Sequence, residues 1–174
     1  DAAPSPWLVD PPQATPALQA DCEADVAIVG AGFTGLSSAL ALRREGLDVV
    51  VLEARTAGFG ASGRNAGHLT PTIGKDLPTL CLMYGQPRVR GLLALAELSI
   101  DHVEGLIARH AIDCDYDAAG NVIAAVCPRQ WAVVDRAAQA ASQHGLKGEL
   151  LDAAAMRRRG LPASFSRGYL EPHG

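Results

Sequence analysis

Asp25-Val26-Ala27-Ile28-Val29-Gly30-Ala31-Gly32-Phe33-Thr34-Gly35 decides how the rest of the chain is read. Val26 to Val29 is a short, nearly unbroken apolar run rich in β-branched residues, the pattern of a parallel strand buried on both faces. Gly30, Gly32 and Gly35 follow with G-x-G-x-x-G spacing. In a dinucleotide-binding turn the first glycine permits the tight bend and the second lets backbone approach a pyrophosphate. The third allows close packing of helix on strand. A helix starting there aims unpaired N–H groups and its positive dipole end at bound phosphates.

Working outward, Leu36, Ala39, Leu40 and Arg43 fall at helical spacing, and Gly46 stands where a left-handed C-cap belongs. A second apolar run from Asp48 ends on Glu53, about twenty residues beyond the glycines, where a dinucleotide fold keeps an acid for ribose hydroxyls. Strand, glycines, helix, strand and acid in that order point to a dinucleotide site. An ordinary βαβ unit needs neither all three glycines nor the acid.

The chain has 174 residues, enough for one ordinary domain, and 48% of them are apolar. Its net charge of -4 gives no reason to expect nucleic acid, and no lysine/arginine run suggests an anionic membrane. Arg157-Arg158-Arg159 reads as the solvated face of a short helix. Cys22, Cys81, Cys114 and Cys127 have neither metal-site nor disulfide-framework spacing, so buried thiols in the reducing cytoplasm are expected. No stretch is long and apolar enough to span a bilayer.

Residues 1–24 are rich in proline and alanine, with Pro4, Pro6, Pro11, Pro12 and Pro16, and read as an extended arm. Trp7-Leu8-Val9 is its apolar cluster, and Trp7 is expected to pack against the body. After Glu53, residues 54–68 carry glycines and small residues with no core-facing period, a loop with one helical turn. Its glycines allow close approach, and Ser62, Arg64 and Asn65 offer donors for a second phosphate contact.

A long helix is predicted over Arg88 to His110, with Val89, Leu92, Leu93, Ala96, Ile100, Val103 and Ile107 on one face. Leu95, Leu98 and Leu106 widen that stripe and imply burial on more than one side. Ile112, Cys114 and Tyr116 alternate with Asp113, Asp115 and Asp117, predicting a half-buried strand in a hairpin with Val122 to Val126. The alternation puts the aspartates on a solvent face rather than around a metal. Arg129 to His144 reads as a helix with Trp131, Val134, Ala138 and Ala141 on one stripe and Gly145 as its cap. Asp152 is placed to N-cap a short helix over Ala153 to Arg159. None of His68, His102, His110, His144 and His173 has metal-ligand spacing.

Three segments together carry a family resemblance: Asp25 to Ala39, Val51-Leu52-Glu53-Ala54, and Gly60-Ala61-Ser62-Gly63-Arg64-Asn65-Ala66-Gly67. They resemble the FAD-dependent amine and amino-acid oxidoreductases of the D-amino-acid-oxidase-like superfamily, and most of all its gamma-glutamylputrescine oxidase branch. The resemblance implies an α/β fold. It would comprise a Rossmann-like FAD-binding βαβ unit over 25–80 and the beginning of an α+β substrate domain over 81–174. It also implies an incomplete fold, because relatives continue beyond the point matching Gly174 and complete the nucleotide sheet from there. The missing C-terminal part, or a complementary chain, is then a partner.

By the same resemblance the cofactor is FAD and the substrate a small amine or amino acid, oxidised at a C–N bond to an imine. Gly30, Ala31, Gly32, Phe33, Thr34 and Gly35 would hold the pyrophosphate, Glu53 the adenosine ribose, and Ala54 and Arg55 the adenine end. Gly60, Ala61, Ser62, Arg64, Asn65, Ala66 and Gly67 would run from pyrophosphate to flavin. Ala66 replaces the family's usual glycine, and His68 its usual glutamine. His68 is thus a candidate either to hydrogen-bond the flavin edge or to tune the flavin with a titratable charge. An NAD-dependent dehydrogenase shares the glycine fingerprint and Glu53, but lacks the Ser62 to Gly67 loop. A non-catalytic nucleotide-binding subunit working with a separate chain is the third reading.

Overall fold

In the computed structural model, Ser5, Trp7, residues 15–71 and residues 73–173 are described. Half of the proline-rich arm, including Leu8 and Val9, lies outside the described residues. The chain divides into two compact units, Asp1–Gly67 and His68–Gly174. Among the described residues no helix is long and apolar enough to cross a membrane.

The first unit is built around the glycine-rich stretch that joins a strand to a helix. Strand β1 (Val26–Val29) pairs in parallel with β2 (Val49–Leu52), Val26 opposite Val49 and Val29 opposite Leu52. Helix α1 (Phe33–Arg44) connects them. It ends in the turn that the sequence predicts: Gly46 has φ +86°, its N–H donates to Arg43 O, and the Leu47 N–H donates to Leu42 O. The Asp25 carboxylate accepts the Asp48 N–H at 2.7 Å and pins the start of β2 beside that of β1.

Two expectations for this unit change. β1 is not buried on both faces: Val29 is 88% exposed, and α1 contributes no buried residue. The sheet has two strands, too few to cover the apolar side chains that a larger parallel sheet would enclose. Trp7 is exposed rather than packed, and it is buried Ser5 that fastens the arm, its hydroxyl donating to Gly63 O. A small hydroxyl with one carbonyl partner fits where an indole does not.

The second unit starts with α2 (Leu77–Tyr84) and α3 (Gln86–His110). Asp76 caps α2 by accepting the Thr79 N–H at 3.0 Å and the Thr79 hydroxyl at 2.8 Å. Leu80, Val89 and Leu93 form one buried cluster. Of the residues that widen the stripe, Leu95 and Leu98 are exposed and Leu106 is half-buried, so Leu95 and Leu98 do not mark a second buried face of α3.

The predicted hairpin is also replaced. Residues 112–116 form no strand; Asp115 has φ +50°, and the Tyr116 hydroxyl donates to Glu104 Oε1 at 2.5 Å, tying the segment to α3. β3 (Asn121–Ala125) pairs antiparallel with β5 (Arg167–Glu171), with Ile123 opposite Tyr169. β4 (Glu149–Asp152) flanks β5 on its other side, giving the order β3-β5-β4. Neither β4 nor β5 is visible in the periodicity of the sequence.

Helix α4 (Trp131–Gln143) lays Val134, Ala138 and Ala141 against Ala125 and Tyr169 of this sheet. Trp131 stays at the rim, its indole N–H donating to Ser166 Oγ at 3.2 Å. Gly145 closes α4 with φ +74°, as expected. Asp152 caps α5 (Ala153–Arg158) through the Ala155 N–H at 2.7 Å. Leu151 and Met156 are among the most deeply buried side chains. The cysteines do not match the expected burial: Cys22 and Cys114 are exposed, Cys81 and Cys127 half-buried, and all four are free thiols.

After β5, His173 lies among three acids of α3. Its Nδ1 meets Glu97, and its Nε2 is 3.5 Å from Asp101 Oδ1 and 3.9 Å from Glu104 Oε2. The Glu97 hydrogen bond, aided by the charges of Glu97, Glu104 and Asp101 and opposed by desolvation, raises the His173 pKa above 6.5. Asp113, Asp115 and Asp117 are not part of this group.

Two outcomes follow. Leu151→Ala is expected to destabilise the second unit by about 2–5 kcal/mol in denaturant melts, since a buried leucine leaves a cavity. For His173 the folded-state pKa is the higher one, so its stabilisation is full below about pH 6.5 and is lost as pH rises through the raised value. His173→Ala should therefore lower the melting temperature more at pH 6 than at pH 9, and an equal effect at both would refute the ion-pair role.

Candidate functional site

At the end of β1 the chain must turn sharply into α1, and each glycine meets a separate steric demand. Gly30 has φ +100°, and its N–H donates to Leu52 O at 2.7 Å. A Cβ on Gly35 would lie 2.0 Å from Gly30 O, so only glycine lets the first turn of α1 close onto the strand end. A Cβ on Gly32 would meet the Ser62 hydroxyl oxygen at 2.9 Å.

Glu53 holds this turn from the end of β2. Its Oε2 accepts the Ala31 N–H at 2.8 Å, and its Oε1 accepts the Arg55 N–H at 2.9 Å. The Ala31 bond first, then the Arg55 bond, lower the Glu53 pKa from its ordinary 4.5. Each carboxylate oxygen keeps a second lone-pair direction, so a ribose hydroxyl can be accepted beside the backbone donors.

The loop after Glu53 folds back over the turn. Gly58 donates its N–H to Ala31 O at 2.9 Å. A 3-10 turn over Ala61–Gly63 brings Ser62 to the start of α1, where its Oγ accepts the Phe33 N–H at 3.0 Å. Gly32 itself is an N-cap with no side-chain hydrogen bond. Asn65 is engaged within its own loop, donating to Ser62 O at 2.8 Å and accepting the Gly67 N–H at 2.8 Å. Arg64 Nε donates to Phe59 O at 3.0 Å.

The structure thus brings Gly30, Ala31, Gly32, Phe33, Gly35, Glu53, Arg55 and Ser62 into one bonded constellation. Thr34 is exposed on the first turn of α1, and Ala54, Gly60, Ala61 and Ala66 are exposed along the loop. His68 opens the second unit, where it is exposed and lines a cavity of about 320 Å³ with Thr70, Leu92, Ser99 and Val103. Sequence reading passed over Gly58, Phe59 and Gly63 as contributors. The signal lay in glycine spacing: a Cβ on Gly63 would approach Gly58 O to 2.4 Å, so these two positions pack backbone to backbone.

The residues fit a diphosphate-bridged dinucleotide. A glycine turn open enough for close approach, the N-terminal N–H groups of α1 and an ionised acid at the end of β2 are the donor and acceptor set it needs.

Comparison with known proteins agrees. The family model for DAO, FAD dependent oxidoreductase, matches residues 25–174. The chain is 39% identical over 151 residues to gamma-glutamylputrescine oxidoreductase of Escherichia coli (strain K12), covering 86% of this chain and 35% of that protein. It is 37% identical over 93 residues to probable oxidoreductase OrdL of Haemophilus influenzae, covering 53% of this chain and 22% of that one. Glycine oxidase from Bacillus cereus superposes with a TM-score of 0.61 at 20% identity, over 87% of this chain and 40% of that chain. Glycine oxidase from Geobacillus kaustophilus gives 0.59 at 22% identity, over 86% and 39%. At these identities the structural matches establish the fold, and the chain spans about a third to two fifths of the E. coli and Bacillus proteins.

The Glu53 bonds carry a pH signature. With its folded pKa below 4.5, Glu53 contributes stability that is present above that value and lost as pH falls through the folded one. Glu53→Gln should flatten the acid limb of the stability profile and speed amide exchange at Ala31 and Arg55. Unchanged exchange at both amides would show that the carboxylate does not hold the turn.

Proposed function

The chain belongs to the FAD dependent oxidoreductase family, and we propose that it forms the N-terminal, FAD-binding portion of an enzyme that oxidises a C–N bond of an amine or amino acid to an imine. The observation that supports this most is the Ser62–Phe33 bond, which joins a second small-residue loop to the dinucleotide turn. A minimal nicotinamide domain has no need of that loop.

When bound, FAD supplies the redox centre, accepting a hydride from the carbon beside the amine nitrogen. The chain's own residues bind and orient it. Gly30, Gly32 and Gly35 admit the pyrophosphate, and the N–H groups of α1 face its charge. Glu53 accepts from the adenosine ribose while Ala54 and Arg55 border the adenine end. Ser62, Arg64, Asn65, Ala66 and Gly67 lead from the pyrophosphate toward the flavin. His68 serves as a hydrogen-bond partner at the flavin edge. The substrate is a small amine or amino acid, the remaining portion of the enzyme is the partner, and the cytoplasm is the compartment in which four free thiols persist.

Titrating the complete enzyme, this chain together with its remaining portion, with FAD and following flavin fluorescence tests this reading. Wild type is expected to bind stoichiometrically. Gly32→Val is expected to abolish binding with little loss of helical circular dichroism, because a branched side chain fills the space of the pyrophosphate. Equal FAD retention by wild type and Gly32→Val would refute the assignment.

A further inference from the structure

Cys81 and His144 take no part in the glycine turn, yet they form a thiol–imidazole pair inside the second unit. Cys81 Sγ lies 3.5 Å from His144 Nε2, across 63 residues of sequence. Cys81 stands on α2 beside buried Leu80, and Leu77 and Leu146 pack around the same cluster. His144 follows α4, and its N–H donates to Ala140 O at 3.2 Å and to Ala141 O at 3.0 Å. The ring therefore sits at the carbonyl end of a helix, where positive charge is favoured.

The other ring nitrogen sharpens the assignment. Nδ1 of His144 is buried and has no hydrogen-bond partner among the described residues. Leaving a buried polar atom unpaired is costly, and a thiol that only fills space needs no imidazole beside it. The ring's one side-chain hydrogen bond is thus with the sulfur. With the proton on Nδ1, Nε2 accepts from the S–H and stands ready to take its proton. Cys127 provides the contrast: it is also half-buried, and its sulfur has no such partner among the described residues.

We propose that Cys81 is a modification site, at which hydrogen peroxide oxidises the thiol to a sulfenic acid with His144 as the base. The S–H proton passes to Nε2 as a sulfur lone pair attacks one peroxide oxygen. The S–O bond forms, the O–O bond breaks, and the departing hydroxide recovers the proton from the imidazolium as water. Sulfur loses two electrons and the peroxide gains them. Peroxide is small and uncharged, so it reaches a sulfur that is only partly exposed. The step does not draw on the flavin, so the site stands or falls separately from the cofactor reading.

In the test, the complete enzyme, this chain with its remaining portion, is treated with hydrogen peroxide. Sulfenic acid is trapped with a 1,3-diketone, and each cysteine is followed by peptide mass spectrometry. Cys81 is expected to react about tenfold faster than Cys127, and faster than exposed Cys22 and Cys114. His144→Gln keeps a side chain able to hydrogen-bond the sulfur but unable to take its proton, and His144→Phe keeps the shape of the ring. Both are expected to lower the Cys81 rate about tenfold while Cys22, Cys114 and Cys127 are unchanged. Circular dichroism melts of each variant serve as folding controls.

A rate order that follows exposure, with Cys22 and Cys114 ahead of Cys81, overturns the proposal. So does a Cys81 rate that His144→Gln leaves unaltered, since the imidazole then only packs against the sulfur. Should either variant melt below the assay temperature, the wild-type order of Cys81 against Cys127 and the exposed pair decides by itself.

Discussion

The carboxylate of Glu53 is the point on which the first unit depends. A glycine turn has no side chains of its own to hold it, and its backbone N–H groups need partners. Glu53 supplies them from the end of β2, bonding Ala31 on one oxygen and Arg55 on the other. The two strand ends and the start of the following loop are thereby fixed to one planar group. Gly58 and Ser62 add two further ties from the loop, to Ala31 O and to the Phe33 N–H. The turn and the loop over it are in this way held mostly through backbone groups, with Glu53 and Ser62 as the side chains that bond to them.

The second unit solves a different problem, a three-stranded antiparallel sheet that needs cover on one face. α4 provides it with small residues, Ala138 and Ala141, which let the helix lie close to Ala125 and Tyr169. Elsewhere Met156 fits against backbone: a Cβ on Gly168 would come 2.8 Å from its sulfur. Close packing of this kind leaves little freedom for the register of β5 against either neighbour.

The first unit leaves several of its large apolar side chains exposed. Val29, Phe33, Leu36, Leu40 and Leu52 are all exposed on a unit of two strands and one helix. A parallel sheet with both faces covered needs more elements than these. The family relatives are more than twice as long as this chain, and the apolar residues of β1 are those of a strand designed for a larger sheet.

Sequence alone determined the features that are encoded among near neighbours. The strand–turn–helix from Val26, the left-handed caps at Gly46 and Gly145, and the capping by Asp152 each depend on a few adjacent residues, and each stands in the structure as read. Tertiary structure decided what depends on distant ones. Alternation at Ile112, Cys114 and Tyr116 says that a segment is amphipathic but not what it pairs with; β3 found β5 instead, and Tyr116 found Glu104. Trp7 carries the larger apolar surface, yet Ser5 is the residue with a carbonyl within reach. Arg55 and Arg64 come from opposite ends of one loop, and their meeting on the Phe59 ring follows from how that loop curls around Ala31. Caps and tight turns are local energies, whereas strand partners and stacked cations are fixed only when the chain closes on itself.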